Sequence, residues 1–282
     1  MSTAKSVRGK VAVVTGAGSG IGRALALDLA NRGASIAIAD VHEQRLADVS
    51  DELTALGVNV YTEALDVRDN DAWKQFANNV FEHFGVVHQL YNNAGIAGNH
   101  PFSREDDGSF ERIIDINMWG VVRGTRAFLP HLVASGDGHV VNISSLNGLL
   151  GYSGLTAYCT SKYAVRGFTE ALRVEMLTEK RPVRVTVVHP GGVRTNISAD
   201  AVEASKEAGN WTPEKDRRAK AYEAKYLKML PAEAAKTIVD GVVKGKGRIL
   251  VGRDTRMIDL LVRLLPGRYP FLVASVQRKE AQ

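Results

Sequence analysis

Near the N-terminus a strand, a glycine-rich turn and a helix follow one another without a gap, and this succession limits the fold more than any other feature. Residues 11–15, Val-Ala-Val-Val-Thr, form a short apolar run rich in β-branched side chains, as in a strand buried on both faces of a parallel sheet. Gly16-Ala-Gly-Ser-Gly20-Ile-Gly22 comes directly after it, and Arg23 to Ala30 reads as a helix. Glycines at such a turn permit a tight reversal, let the backbone approach a pyrophosphate, and let the helix pack closely on the strand. The phosphates would rest on the unpaired N–H groups and positive dipole end of that helix. A second strand, Ser35 to Ala39, ends in Asp40, eighteen residues past Gly22. A carboxylate there accepts hydrogen bonds from adenosine ribose hydroxyls, so the segment reads as a dinucleotide site.

Strand and helix signals then alternate along the chain. Strands are predicted near 11–15, 35–39, 58–63, 87–91, 139–143, 183–188 and 248–251. Helices are predicted near 21–32, 43–56, 70–84, 109–134, 156–179 and 232–244. That order implies an α/β fold: a doubly wound, Rossmann-like parallel sheet with helices on both faces and ligands at the carboxyl ends of the strands. The 282 residues contain no repeat, low-complexity segment or interdomain linker, so a single domain spanning 1–282 is expected.

A second constellation is Tyr158-Cys-Thr-Ser-Lys162, with Ser145 thirteen residues upstream of the tyrosine. In a helix Tyr158 and Lys162 stand at i and i+4, on one face and one turn apart. A free phenol titrates near pH 10 and is a poor base at neutral pH. An ammonium held close favours the phenolate and lowers that pKa. A serine hydroxyl can hold a carbonyl or alcohol oxygen against the phenol while the proton moves. This is the acid–base half of alcohol–ketone chemistry, and it needs a hydride carrier. Cys159, a lone cysteine on a helix, is expected as a small packed hydrophobe rather than a reactive thiol.

Taken together, these motifs make the chain similar to the short-chain dehydrogenase/reductases from about Lys10 to Gly252. The family's TGxxxGxG pattern stands here as Thr15-Gly16 to Gly22, and its NNAG element as Asn92-Asn93-Ala94-Gly95. Its serine is Ser145, its YxxxK pair is Tyr158 and Lys162, and its PG element is Pro190-Gly191, with Thr195 a few residues on. None of these departs from the active pattern. The resemblance implies that Lys162 hydrogen-bonds the nicotinamide ribose as well as tuning Tyr158. It implies that Asn117, inside the helical run Phe110 to Leu129, positions a water in a proton relay leading to Lys162. Gly16, Ser19, Gly20, Ile21 and Gly22 would face the phosphates, and Asp66-Val67 the adenine. Asn93, Ala94 and Gly95 would pass close to the ribose. Val193 and Thr195, with Pro190 and Gly191 before them, would reach the nicotinamide amide or phosphate. Ser144 is an alternative to Ser145, which the family spacing favours. Asp66 also reads as a strand-end turn residue, and Asn117 as an ordinary helical asparagine.

Asp40 argues for NAD over NADP, since its charge would repel a ribose 2′-phosphate and neither Ser19 nor Val41 supplies a cation. The expected function is therefore an NAD-dependent interconversion of a secondary alcohol and a ketone. The alternatives are an NADPH-dependent ketoreductase and a catalytically silent nucleotide sensor or scaffold. The silent reading is disfavoured because Asn117, Ser145, Tyr158 and Lys162 are all present.

Two segments give the chain its individuality. By resemblance, residues 197–230 form a substrate lid, with Trp211, Tyr222, Tyr226 and Met229 as its apolar inner face; a surface helical hairpin is the alternative. The charged stretch Lys215 to Arg218 reads as solvated. In the tail, residues 253–282, Met257, Ile258, Leu261, Leu264 and Leu265 fit an apolar helical stripe that Pro266-Gly267 stops. The stripe would pack on its own domain, on a neighbouring subunit or on a lipid surface. Lid and tail favour a hydrophobic small-molecule substrate, of steroid or lipid type, and the family resemblance favours a homotetramer or dimer.

The 36 basic and 31 acidic residues are mixed along the chain, so the net charge of +5 reads as a solvated surface and not as a nucleic-acid site. One cysteine, and an N-terminus without the apolar core of a secretory signal, suit a soluble cytoplasmic protein with no transmembrane segment. No metal site is expected.

Overall fold

A computed structural model describes residues 6–98, 102–104, 108–197, 200, 202, 206 and 212–280. Seven strands form one sheet: β1 (Val11–Thr15), β2 (Ser35–Asp40), β3 (Val60–Ala64), β4 (Gln89–Asn92), β5 (Gly138–Ile143), β6 (Val183–Pro190) and β7 (Arg248–Val251). Their order is β3-β2-β1-β4-β5-β6-β7, and every neighbouring pair is parallel. The chain winds outward to one edge through β2 and β3, then returns to the centre and winds outward again from β4. The reversal lies between β1 and β4, and the carboxyl ends of those two strands open a crevice there.

Alternation along each strand sends side chains to two cores. Ala12 and Val14 of β1 join one cluster with α1 (Gly20–Asn31) and α2 (Glu43–Ala55), whereas Val13 joins the other. The second cluster packs under α3 (Asn70–Phe84), with Trp73, Phe76 and Val80 fully covered. Each fully buried apolar side chain of this kind contributes about 1.5–3 kcal/mol, so covering both faces is what holds the sheet. α3 is capped by Asp69, whose side chain accepts from Asp71 N and Ala72 N, and it ends at left-handed Gly85.

The helix predicted over 109–134 is broken in register. α4 (Ser109–Ile114) runs into a π turn at Asp115–Trp119 before α5 (Gly120–Ala134) resumes. The π turn holds Asn117, whose buried side chain is tied to neighbouring elements. Next come α6 (Thr156–Thr178), α7 (Pro213–Tyr226) and α8 (Pro231–Val243), the last packed across α1. The tail holds two helices where one was foreseen: α9 (Arg253–Leu264) ends before Pro266, and α10 (Tyr269–Glu280) follows. No helix among the described residues is long and apolar enough to cross a membrane.

Candidate active site

At the crevice the glycine turn and the β4 loop are fitted together. Gly16 and Gly20 have φ of 62° and 53°, the left-handed region that glycine enters without a Cβ penalty. A Cβ on Gly16 would stand 2.7 Å from Ala94 Cα, and one on Gly22 would collide with the Gly16 carbonyl oxygen. Thr15 Oγ1 accepts from Asn93 N (3.1 Å) and Ala94 N (3.2 Å), while Asn93 Nδ2 donates to the Thr15 and Gly16 carbonyls at 3.0 and 3.2 Å. Asn93 and Ala94 thus clamp the turn in place. Thr15 thus contributes a side chain of its own to the site, beyond its place in the glycine motif.

The N-terminus of α1 suits a phosphate. Its first N–H groups, from Gly20, Ile21 and Gly22, have no intrahelical acceptor, and the N-cap Ser19 makes no side-chain capping bond. Asp40 closes the other side: Oδ2 accepts from Gly18 N and Oδ1 from His42 N, each at 2.9 Å. A dinucleotide therefore fits this cradle by its anionic centre and its ribose. Arg45 of α2 lies against Gly18 but is bound twice by Asp200, at 3.0 Å each. Asp66 folds back on Arg68, whose side chain holds the carboxyl below its ordinary pKa. Val67 is buried, and its carbonyl accepts from Trp73 Nε1 at 3.0 Å.

On the other side of the crevice, Pro190 ends β6. Gly191 N donates to Val251 O, and Gly192 N to Asp254 Oδ2 at 2.8 Å. Asp254 occupies the space a Gly191 side chain would need. Val193 is buried and bridged to Met229, while Thr195 sits across from Gly20. Tyr226 and Met229 are partly covered. Trp211, and the side chains of Tyr222, Lys215 and Arg218, lie outside the described residues.

The acid–base group assembles where β5 meets α6. Ser145 begins a short 3-10 turn, with its hydroxyl accepting from Asn147 N at 3.1 Å. Ser144 is turned away: its hydroxyl donates to the Lys162 carbonyl at 2.8 Å, deep inside the protein. This geometry separates the two serines and leaves Ser145 as the one that reaches Tyr158. Lys162 Nζ donates to the Ile143 carbonyl at 3.2 Å and lies 5.6 Å from the centre of the Tyr158 ring. Burial pushes the Lys162 pKa down to about 8. Gly95 lies beside both Asn117 Oδ1 and Lys162 Nζ, each within 3.4 Å of where its Cβ would be.

One expectation is reversed. Tyr158 was expected to have its pKa lowered by Lys162, yet burial raises it, with the Ser145 hydrogen bond pulling the other way. The Lys162 ammonium donates to the Ile143 carbonyl, and desolvation of the phenolate by burial outweighs the Ser145 hydrogen bond.

Asn117 is fully enclosed and so is no ordinary exposed helical residue. Its Oδ1 accepts from Ile96 N (2.8 Å), and its Nδ2 donates to Ile96 O (2.9 Å) and Ser161 Oγ (3.1 Å). Ser161 in turn donates to the Tyr158 carbonyl at 2.7 Å. Another residue missed in the sequence is His189, wholly buried on β6, whose Nδ1–H donates to the Ser145 carbonyl at 2.9 Å. Cys159 is packed, with its pKa raised by burial. A depression of about 420 Å³ beside the start of α6 is lined by Gly151, Tyr152, Thr156, Cys159, Thr160 and Tyr163.

Fold and crevice together define an oxidoreductase. The chain belongs to the short chain dehydrogenase family, whose model matches residues 10–206. A protein of Mycobacterium tuberculosis named as the oxidoreductase SadH is 49% identical over 270 residues, 96% of each chain. A short chain dehydrogenase/reductase from Burkholderia phymatum, solved in complex with NAD, aligns with a TM-score of 0.84 at 30% identity, covering 95% of this chain and 96% of the other. An alcohol dehydrogenase from the archaeon Thermococcus sibiricus, complexed with 5-hydroxy-NADP, aligns with a TM-score of 0.71 at 27% identity, covering 86% and 95%.

Proposed function

We propose that this enzyme is an NAD-dependent dehydrogenase/reductase acting on a secondary alcohol or the matching ketone of an apolar compound. The observation that carries the reading is the meeting of Ser145, Tyr158 and Lys162 beside an uncapped glycine turn at the carboxyl end of the sheet. When bound, a nicotinamide dinucleotide supplies the hydride donor or acceptor. Gly16, Ser19, Gly20, Ile21 and Gly22 hold its phosphates, and Asp40 its adenosine ribose. Asp66 and Val67 flank the adenine, and Asn93, Ala94 and Gly95 the sugar. Pro190, Gly191, Val193 and Thr195 border the nicotinamide half. Asp40 supports NAD, as does Arg45, whose charge is already matched by Asp200 and is not free for a 2′-phosphate.

Tyr158 moves the proton at the substrate oxygen, and Ser145 fixes that oxygen against it. With its pKa raised, Tyr158 stands as a neutral phenol, ready to protonate a ketone oxygen. Lys162 orients the sugar and, with Asn117, returns protons to water. The lid of residues 197–230 excludes water from the reacting atoms. Exposed Trp119, Val174 and Leu177 on the π turn and α6 support a homo-oligomer built through those helices.

The test is hydride transfer with NAD and with NADP over a panel of apolar secondary alcohols. Tyr158→Phe is expected to lower kcat by about 10²–10⁴-fold while dinucleotide binding persists. Unchanged turnover in that variant would remove Tyr158 from the mechanism. A clear preference for NADP would establish the NADPH-dependent alternative.

A further inference from the structure

The two tail helices leave an unusual surface. On α9, Met257, Leu260 and Leu264 are 71%, 57% and 68% exposed, although Ile258, Leu261 and Leu265 on the adjoining arc are partly covered by the domain. On α10, Phe271, Leu272 and Val276 are 75%, 47% and 53% exposed. Packing on the parent domain therefore accounts for only one side of each helix. That side is firmly held. Thr255 Oγ1 donates to Val251 O, and Asp259 binds Arg248, which fixes α9 to β7. Gly151 N donates to Tyr269 Oη at 3.4 Å, and Gln277 bonds both N and O of Ser153, which fixes α10 to the loop before α6.

The charges around them decide the occupant. Arg253, Arg256, Arg268, Arg278 and Lys279 are exposed and form no ion pair among the described residues. The two described carboxylates of these helices are already engaged, Asp254 by Gly192 N and Asp259 by Arg248 and Arg263. The face thus combines protruding apolar tips with unmatched cations. A second copy meeting this face across a two-fold axis would bring the same cations against each other. A lipid surface with anionic headgroups satisfies both features at once, the apolar tips entering the acyl boundary and the cations meeting the headgroups.

We infer that α9 and α10 form a docking face for an anionic lipid bilayer, holding the enzyme peripherally with no span. The inference is independent of the proposed reaction, because it concerns a face outside the crevice. The experiment is sedimentation of the full-length protein with vesicles of phosphatidylglycerol and phosphatidylcholine in equal amounts, and with phosphatidylcholine alone. Binding at least about tenfold tighter to the anionic vesicles, weakened by salt, is expected. Leu260→Gln with Phe271→Gln, and separately Arg256→Gln with Arg278→Gln, should each release the protein while circular dichroism and Tm stay unchanged. No binding to anionic vesicles would overturn the inference. So would binding that survives both pairs of substitutions, or a fall in oligomer size in the Leu260/Phe271 variant without any vesicle binding, which would assign the face to a second copy.

Discussion

His189 is sealed in the interior with no partner at Nε2 among the described residues, an arrangement that favours the neutral imidazole. Burial lowers its pKa to about 4 from an ordinary 6.5. The unfolded chain therefore takes up a proton that the folded one refuses, and stability falls as the pH drops from 6.5 toward 4. The loss from this one group reaches about 2 kcal/mol by pH 5. His189→Asn keeps an N–H close to the Nδ1 position, so it should hold the Ser145 carbonyl, retain kcat and flatten the acid limb of a stability–pH curve. His189→Leu should flatten that limb too but lower kcat about tenfold, with the KM for dinucleotide unchanged. Equal kcat in the two variants would mean that the ring only fills space. Ser145, Tyr158 and Lys162 were legible from type and spacing. His189 was not, because nothing in a local pattern tells that a strand residue turns its ring to a loop forty-four positions away. The direction of the Tyr158 shift failed for a related reason: spacing brings an ammonium near, but burial is a property of everything packed around it.

Among the elements, the strand–turn–helix at the start is the most exacting. Gly22→Ala puts a methyl group against the Gly16 carbonyl and Asn93 Nδ2, which anchor the crevice. Overpacking there should cost about 2 kcal/mol, read as a lower urea midpoint with the m-value unchanged. Dinucleotide affinity should fall with it, measured by calorimetry. An unchanged midpoint would show that the β4 loop yields without strain. The strands and this turn were readable because their signals are local: β-branched runs, glycines, a terminal acid. The π turn at Asp115–Trp119 was not, since it arises from Asn117 reaching Ile96 and Ser161, two contacts that no helical period encodes. Likewise α10 was hidden behind Pro266-Gly267, where a stop signal reads the same whether or not another helix follows.

Across the whole molecule, the tail and the start of α6 are mechanically joined. Tyr269 bonds Gly151 and Tyr163, and Gln277 bonds Ser153, just ahead of Tyr158. Tyr269→Phe should therefore speed amide exchange at Gly151 about fivefold, with little change at Ser153, whose N–H stays on Gln277; unchanged exchange at Gly151 would mean the Tyr269 bond does not hold the loop. The parallel sheet has a consequence for synthesis as well. β1, β2 and β3 can pair once residue 64 is free, but the inner edge of β1 stays bare until β4 arrives with residue 92. At roughly 5–20 residues per second, the nascent chain leaves its future central seam unpaired for a few seconds, its most adhesive moment. A ribosome pause before β4 would lengthen that interval, so codon choice between residues 64 and 92 bears directly on yield.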